Sequence, residues 1–166
     1  MFGKLFRKPR ADFDELASNL YQVLVEEPPS SGDPDALGPS ELEIEPAQFI
    51  EFSQKRTFLL EAMFFCAAIT AAGGGKTPLV SSVQKLLEGK WRVRGMRSEV
   101  ITSMHDACWD EIELLLSSDV VPVSWSKKWL AVFYPDGDFG PHLYSWARQC
   151  HQEFTAMKSM FDDYSK

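Results

Sequence analysis

The run Gly-Gly-Gly-Lys-Thr at 73–77 is the part of this chain that comes closest to a phosphate-binding loop. A P-loop has the pattern Gly-x-x-x-x-Gly-Lys-Ser/Thr between a strand and a helix, because its backbone N–H groups wrap the phosphates. Here Thr70 occupies the place of the first glycine, and Pro78 removes a backbone donor directly after the motif. We therefore interpret the glycines as a turn that ends a helix and not as a nucleotide site.

A second candidate site involves carboxylate and imidazole side chains. Glu61 lies within the apolar run 57–72, so its carboxylate must find a partner, reach solvent or have a raised pKa. We expect a base from the same helix or from a distant part of the sequence to pair with it. His105 adjoins an apolar helix face, and the loop 134–142 combines aromatic, acidic and imidazole groups. A small-ligand or enzymatic site would be lined by Glu61, His105, Asp138 and His142.

The sequence lacks the motifs of common metal and nucleophile sites. There is no His-Glu-x-x-His, no Glu-x-x-His, no Cys-x-x-Cys and no Gly-x-Ser-x-Gly pattern. Cys66, Cys108 and Cys150 each lie in an apolar helical stretch, which favours buried thiols that act as small hydrophobic side chains. The sequence thus assigns no catalytic residue, no metal ligand and no cofactor.

Basic side chains gather between positions 85 and 97, around a tryptophan. The residues after 89 are predicted to form a connection between two helices. If the backbone there is extended, alternate side chains point to opposite sides. Such a surface could bind an anion or part of a partner, and the acidic stretch 26–45 of the same chain is another candidate occupant. The alternative is a solvated helix connection. The candidate residues are Lys85, Lys90, Trp91, Arg92, Arg94 and Arg97.

The first ten residues combine apolar and basic side chains and end near Pro9. As a helix they would place the apolar groups on one face, with cations available to anionic lipid headgroups. This predicts a weak peripheral contact with the inner face of a membrane, and the alternative is a frayed, solvated terminus. The residues concerned are Phe2, Lys4, Leu5, Phe6, Arg7 and Lys8.

Composition indicates one domain with a substantial core. The chain has 166 residues, 45% of them hydrophobic, and a formal net charge of −7. Residues 11–46 hold ten acids and no base. A net acidic chain is unsuited to general nucleic-acid binding, which depends on neutralising phosphates. No secretory signal follows the basic start, so we expect a cytoplasmic protein.

Apolar residues recur at the helical period along most of the chain. They predict helices over 12–27, 47–72, 78–89, 99–118 and 141–164, and a short helix after Ser124. Asp12 can cap the first helix. The second half of 47–72 is apolar nearly all round, so we expect this helix at the buried centre. The fold class that follows is all-α, an irregular antiparallel bundle of about five to six helices. We divide the chain into a basic and apolar segment (1–10), an N-terminal helix (11–27), an acidic, proline-rich linker (28–46) and the bundle core (47–166).

These observations favour a non-enzymatic protein-binding module, an adaptor or regulator in the cytoplasm. The acidic net charge would suit a basic protein partner. The alternative is a small-ligand-binding or enzymatic bundle. A deep pocket with convergent Glu and His would favour the alternative, whereas a filled core with an exposed groove would favour the binding module.

Overall fold

The computed structural model describes residues 12–27, 49–117 and 142–164, with the isolated positions 127 and 131. These residues form an all-α helical bundle, as the apolar periodicity predicts. Its helices are α1 (Phe13–Tyr21), continued by a π-helical turn (Gln22–Glu26), then α2 (Phe49–Ala71), α3 (Pro78–Val93), α4 (Ser98–Asp110), α5 (Ile112–Leu116) and α6 (His142–Asp162).

Helix α2 is the centre of the bundle. Every side chain from Leu59 to Thr70 is buried, and α3, α4, α5, α6 and the π-helical turn all pack against it. A helix that is apolar around its whole circumference can bury its surface only when neighbours cover each face. The three cysteines are buried free thiols, as predicted. None of the described helices is long and apolar enough to cross a bilayer.

Local chemistry explains where the helices begin and end. The Asp12 carboxylate accepts the backbone N–H groups of Asp14 and Glu15 at the start of α1, which confirms the predicted cap. Helix α2 ends at the glycine run, where the Gly74 N–H donates to the Ile69 carbonyl and Gly73 has φ +65°. This is a Schellman motif, so the run acts as the predicted helix-ending turn.

Two predicted boundaries are wrong. Helix α3 does not end near residue 89 but continues to Val93, because its Schellman motif lies at Gly95, with φ +81°. The predicted helix 99–118 is divided at Glu111, whose N–H bonds to the Cys108 carbonyl three residues back. The predicted segments 1–10 and 28–46 and nearly all of the short helix after Ser124 lie outside the described residues.

Candidate functional site

A carboxylate that solvent does not reach lies near the middle of the bundle. Glu61 on α2 is 0% exposed, and both of its oxygens accept hydrogen bonds. Oε1 accepts from the Tyr21 hydroxyl at 2.6 Å and from Nη2 of Arg94 at 2.5 Å. Oε2 accepts from Nε1 of Trp91 at 2.7 Å and from Nη1 of Arg94 at 2.8 Å. These donors fill the roughly four acceptor sites of a carboxylate.

The extension of α3 brings two of these donors together. Trp91 and Arg94 are three residues apart, so on a helix that continues to Val93 they lie on one face and both reach Glu61. The extended alternation expected after residue 89 is therefore wrong. Trp91 is completely buried and unavailable for stacking on a ligand. Glu61 has the predicted base distant in sequence, and the nearer Arg56 bonds instead to Glu153 on α6.

The network changes the acid–base properties of its members. Burial, followed by the hydrogen bond to Glu61, raises the pKa of the Tyr21 phenol well above its usual range. The hydrogen bond to Glu61 raises the pKa of the Arg94 guanidinium. Both donors thus keep their protons, and the network is a stable set of charge-assisted hydrogen bonds.

His105 is the second buried polar group in this part of the bundle. Its ring lies 5.4 Å from that of Phe65 and 5.5 Å from that of Trp91, centroid to centroid. Nδ1 lies 3.5 Å from Nε2 of Gln84 and 3.6 Å from the Glu88 carboxylate. Nε2 is buried and has no hydrogen-bond partner among the residues that the structure describes. Burial lowers the pKa of His105, although Glu88 acts in the opposite direction.

An open groove of about 580 Å³ runs beside the network, along α3 and the start of α1. Its lining includes three cations and one carboxylate: Lys85, Lys90 and Arg94 with Asp14. Leu86 and Val93 supply apolar surface, and Val93 is 89% exposed. Gly89 lies between them, and among the described residues no atom outside the local backbone of α3 lies within 4 Å of the place a Cβ would take.

The groove lysines form ion pairs with the N-terminal helix. Nζ of Lys85 lies 2.7 Å from the Asp14 carboxylate, and Nζ of Lys90 lies 2.7 Å from that of Glu26. Nζ of Lys90 also lies 4.2 Å from the centre of the Tyr21 ring. Glu26 begins the acidic stretch that we considered as an occupant of the basic cluster, whereas residues 28–45 lie outside the described part. The fold thus brings α1 onto the basic face of α3.

No family model, curated protein or solved structure matches this chain.

The structure separates the predicted basic cluster into two groups. Lys85, Lys90 and Arg94 line the groove, whereas Trp91 is buried beneath it. Arg92 and Arg97 are exposed and do not belong to the groove lining. Three of the six predicted residues therefore line the groove.

Only two of the four residues predicted to line a ligand pocket lie near each other in the described structure. Glu61 and His105 both contact Trp91, one through its indole N–H and the other through its ring, but neither lines the groove. Asp138 and the side chain of His142 lie outside the described residues, as do the six N-terminal residues predicted to contact a membrane. Within the described part of the chain, no group of three His, Cys, Asp or Glu side chains is placed to hold a metal ion.

Sequence reasoning missed Tyr21 as a member of the network. A buried tyrosine or tryptophan usually needs an acceptor for its polar hydrogen. Glu61 is the only acid between residues 57 and 72. The requirement for an acceptor could therefore have linked an aromatic residue to Glu61, but it could not have selected Tyr21 and Trp91 from the other aromatic residues.

Proposed function

We propose that this chain is a non-enzymatic protein-binding module, an adaptor or regulator, whose groove between α1 and α3 takes an acidic segment of a partner protein. The observation that carries the proposal is the combination of three cations with apolar surface in one open groove of about 580 Å³. Cations select carboxylates, and apolar side chains supply the contact area on which affinity depends.

The charge of the groove favours an acidic occupant. Among the described residues, its lining includes Lys85, Lys90 and Arg94 and one acid, Asp14, whereas Glu26 and Glu61 pair with Lys90 and Arg94 from outside the lining. The side chains of Lys85 and Asp14 are 74% and 56% exposed, so water screens their ion pair. A carboxylate from a partner can replace Asp14 at little cost. The net acidity of the chain suggested a basic partner, but the local charge of this groove supports the opposite choice.

The apolar part of the groove favours a peptide over a free inorganic anion. Leu86 is half-buried, Val93 is almost fully exposed, and Gly89 leaves the helix surface open between them. Single exposed apolar residues are common on protein surfaces. Here they adjoin cations in one concave surface, which matches a segment that alternates acidic and apolar side chains.

The state of Glu61 counts against the enzymatic alternative. A general base must reach a substrate and have a free lone pair, but Glu61 is 0% exposed and accepts four hydrogen bonds. His105 is buried and also lies outside the groove lining. A filled core beside an exposed groove is the arrangement that favours a binding module. Cytoplasmic location and membrane contact through residues 2–8 remain predictions.

Peptide titration of the isotope-labelled chain, followed by two-dimensional NMR, tests this proposal. A short peptide that alternates glutamate and leucine should shift the backbone resonances of α3 around Lys85 and Lys90 and those of α1 around Asp14. The variant Lys85→Glu should bind this peptide about fivefold more weakly, because it replaces attraction by repulsion at an exposed site.

The matched control is Lys158→Glu, which changes the net charge equally. Lys158 lies on α6, pairs with Asp162 and does not line the groove. It should bind the peptide as the wild type does. Equal weakening in both variants, or resonance shifts spread over α6 instead of α3, would show that the peptide does not recognise this groove.

A further inference from the structure

One residue of the Glu61 hydrogen-bond network, Arg94, also lines the groove. Tyr21 and Trp91 are buried, but the Arg94 side chain is 40% exposed and lines the groove. Resting on the function proposed above, we propose that Arg94 binds a carboxylate of the partner segment and that Glu61 is the positioning residue that fixes its guanidinium.

Stability alone is an incomplete reason for this arrangement. Removing a carboxylate from water carries a large desolvation penalty, and replacing a buried ion pair by apolar side chains is often neutral or stabilising. Glu61 lies in the most apolar helix of the bundle, where an apolar residue would pack without that penalty. Unlike an apolar residue, the Glu61 carboxylate fixes the orientation of the Arg94 guanidinium.

This orientation comes from a bidentate contact. Nη1 and Nη2 of Arg94 each donate to a different oxygen of Glu61, which fixes the plane of the guanidinium. Nη2 also lies 3.4 Å from the Tyr21 hydroxyl oxygen. Helix α3 ends at Val93, and Gly95, directly after Arg94, takes φ +81°, so the Schellman motif holds the backbone that carries Arg94. Side chain and backbone are therefore both restrained before any ligand arrives.

The guanidinium keeps donors for a ligand. It has five N–H groups in a rigid plane. Among the described residues, its contacts with Glu61 and Tyr21 leave the Nε–H and one hydrogen of Nη1 without an acceptor. Glu61 neutralises Arg94, and Lys85 and Lys90 attract an acidic segment when its carboxylates replace Asp14 and Glu26, their partly exposed partners. Glu61 already occupies the fork of Nη1 and Nη2, so Arg94 offers the partner carboxylate a single N–H donor in a fixed orientation.

The test compares two peptides on three forms of the full chain. One peptide alternates glutamate and leucine, and the other replaces each glutamate by glutamine. We expect the wild type to prefer the acidic peptide by about tenfold, the effect of one charge-assisted hydrogen bond. In Arg94→Lys, which keeps the charge but loses the planar group that Glu61 orients, this preference should fall to about twofold. A purely structural role for Arg94 would weaken the binding of both peptides equally.

The variant Glu61→Gln tests the positioning role. The NMR signals of the Arg94 Nη hydrogens that bond to Glu61 should show hindered rotation and slow exchange in the wild type, and both properties should be lost in Glu61→Gln. Its preference for the acidic peptide should fall to that of Arg94→Lys. Tighter binding of the acidic peptide by Glu61→Gln would overturn the proposal, because Glu61 would then weaken a free charge instead of orienting it.

The outcomes separate this inference from the proposed function. If the groove resonances shift equally with both peptides, the groove still binds peptides, but the proposed role of Arg94 is overturned. An absence of groove shifts with either peptide would overturn the proposed function and the carboxylate-binding role together. The signals of the Arg94 Nη hydrogens decide the positioning role in each case. Should Glu61→Gln fail to fold, Arg94→Lys still decides the carboxylate preference.

Discussion

At the scale of single residues, the distinguishing feature is that the Glu61 carboxylate accepts a hydrogen bond at each of its acceptor sites. The oxygens of Glu61 receive donors from a phenol, an indole and a guanidinium that are 30 to 40 residues away in sequence. A buried charge is tolerated when every acceptor site is filled. The same property makes each donor important, because removing one leaves an acceptor without a partner in a dry interior.

Tyr21→Phe should destabilise the protein by about 1–2 kcal/mol, because it removes one hydrogen bond from Glu61 and leaves the packing nearly unchanged. Urea unfolding monitored by circular dichroism measures the free energy of unfolding. Tyr144→Phe is the control, since Tyr144 is 74% exposed and should change stability by less than about 0.5 kcal/mol. Equal effects of the two substitutions would show that the Tyr21 hydroxyl does not support the network.

At the scale of helices and turns, glycines with positive φ determine where α2 and α3 end. Gly73 and Gly95 occupy the left-handed position of a Schellman motif at φ +65° and +81°. Gly74 follows Gly73 at φ +79°, and a Cβ there would lie 3.1 Å from Cδ1 of Leu116 on α5. The turn after α2 thus has a conformational and a steric reason for glycine. The turn that Gly73 and Gly74 form places α3 close to α2, as the hydrogen bonds to Glu61 require.

Gly74→Ala should destabilise the protein by about 1–2 kcal/mol, the approximate penalty for a Cβ in the left-handed region. Thermal unfolding followed by circular dichroism should show a lower midpoint. Gly89→Ala is the matched control, because Gly89 lies inside α3 and its Cβ would meet no described atom within 4 Å beyond the local helix backbone. It should raise stability by about 0.5–1 kcal/mol through helix propensity. A neutral Gly74→Ala would contradict this account of the turn.

At the scale of the whole molecule, the bundle connects its interior to its surface through α3. Trp91 on this helix contacts Glu61 and His105, and the exposed Lys85 pairs with Asp14 of α1. His105 joins α4 to α2 and α3 through its contacts with Phe65 and Trp91. A change of charge at His105 therefore affects the packing of three helices.

Stability should decrease as the pH falls below about 6.5, and His105 should contribute to this decrease. Burial lowers the pKa of His105 in the folded state despite the nearby carboxylates of Glu88 and Asp106, and Lys76 acts in the same direction as burial. Below the ordinary histidine pKa of about 6.5, the unfolded chain takes up a proton that the folded protein does not. The loss of stability continues down to the lowered folded-state pKa.

Urea unfolding at several pH values between about 5 and 8 tests this contribution. The variant His105→Phe keeps an aromatic ring beside Phe65 and Trp91 but cannot bind the proton. The pH dependence of its unfolding free energy should be flatter than that of the wild type below pH ~6.5. The same slope in both proteins would show that His105 does not titrate differently on folding.

The positions of the helices were accessible from the sequence, because their causes are local. Apolar spacing predicted 47–72 and 141–164, and the structure places α2 at Phe49–Ala71 and α6 at His142–Asp162. Asp12 and the glycine run identified helix ends through hydrogen bonds within a few residues. The same reasoning ended α3 too early, since an interior glycine at position 89 and the capping glycine at position 95 look alike without their backbone angles.

The sequence by itself determined that the chain forms an all-α bundle, that α2 is its buried centre and that Glu61 needs a partner, because helix periodicity and desolvation act on each residue where it stands. Only the tertiary structure decided that the partners are Tyr21, Trp91 and Arg94 and that α1 and α3 form a cationic groove. The physical reason is that contacts between distant segments depend on how whole helix faces pack. Before that packing is known, the sequence gives no reason to choose one donor over another of the same type as the partner of Glu61.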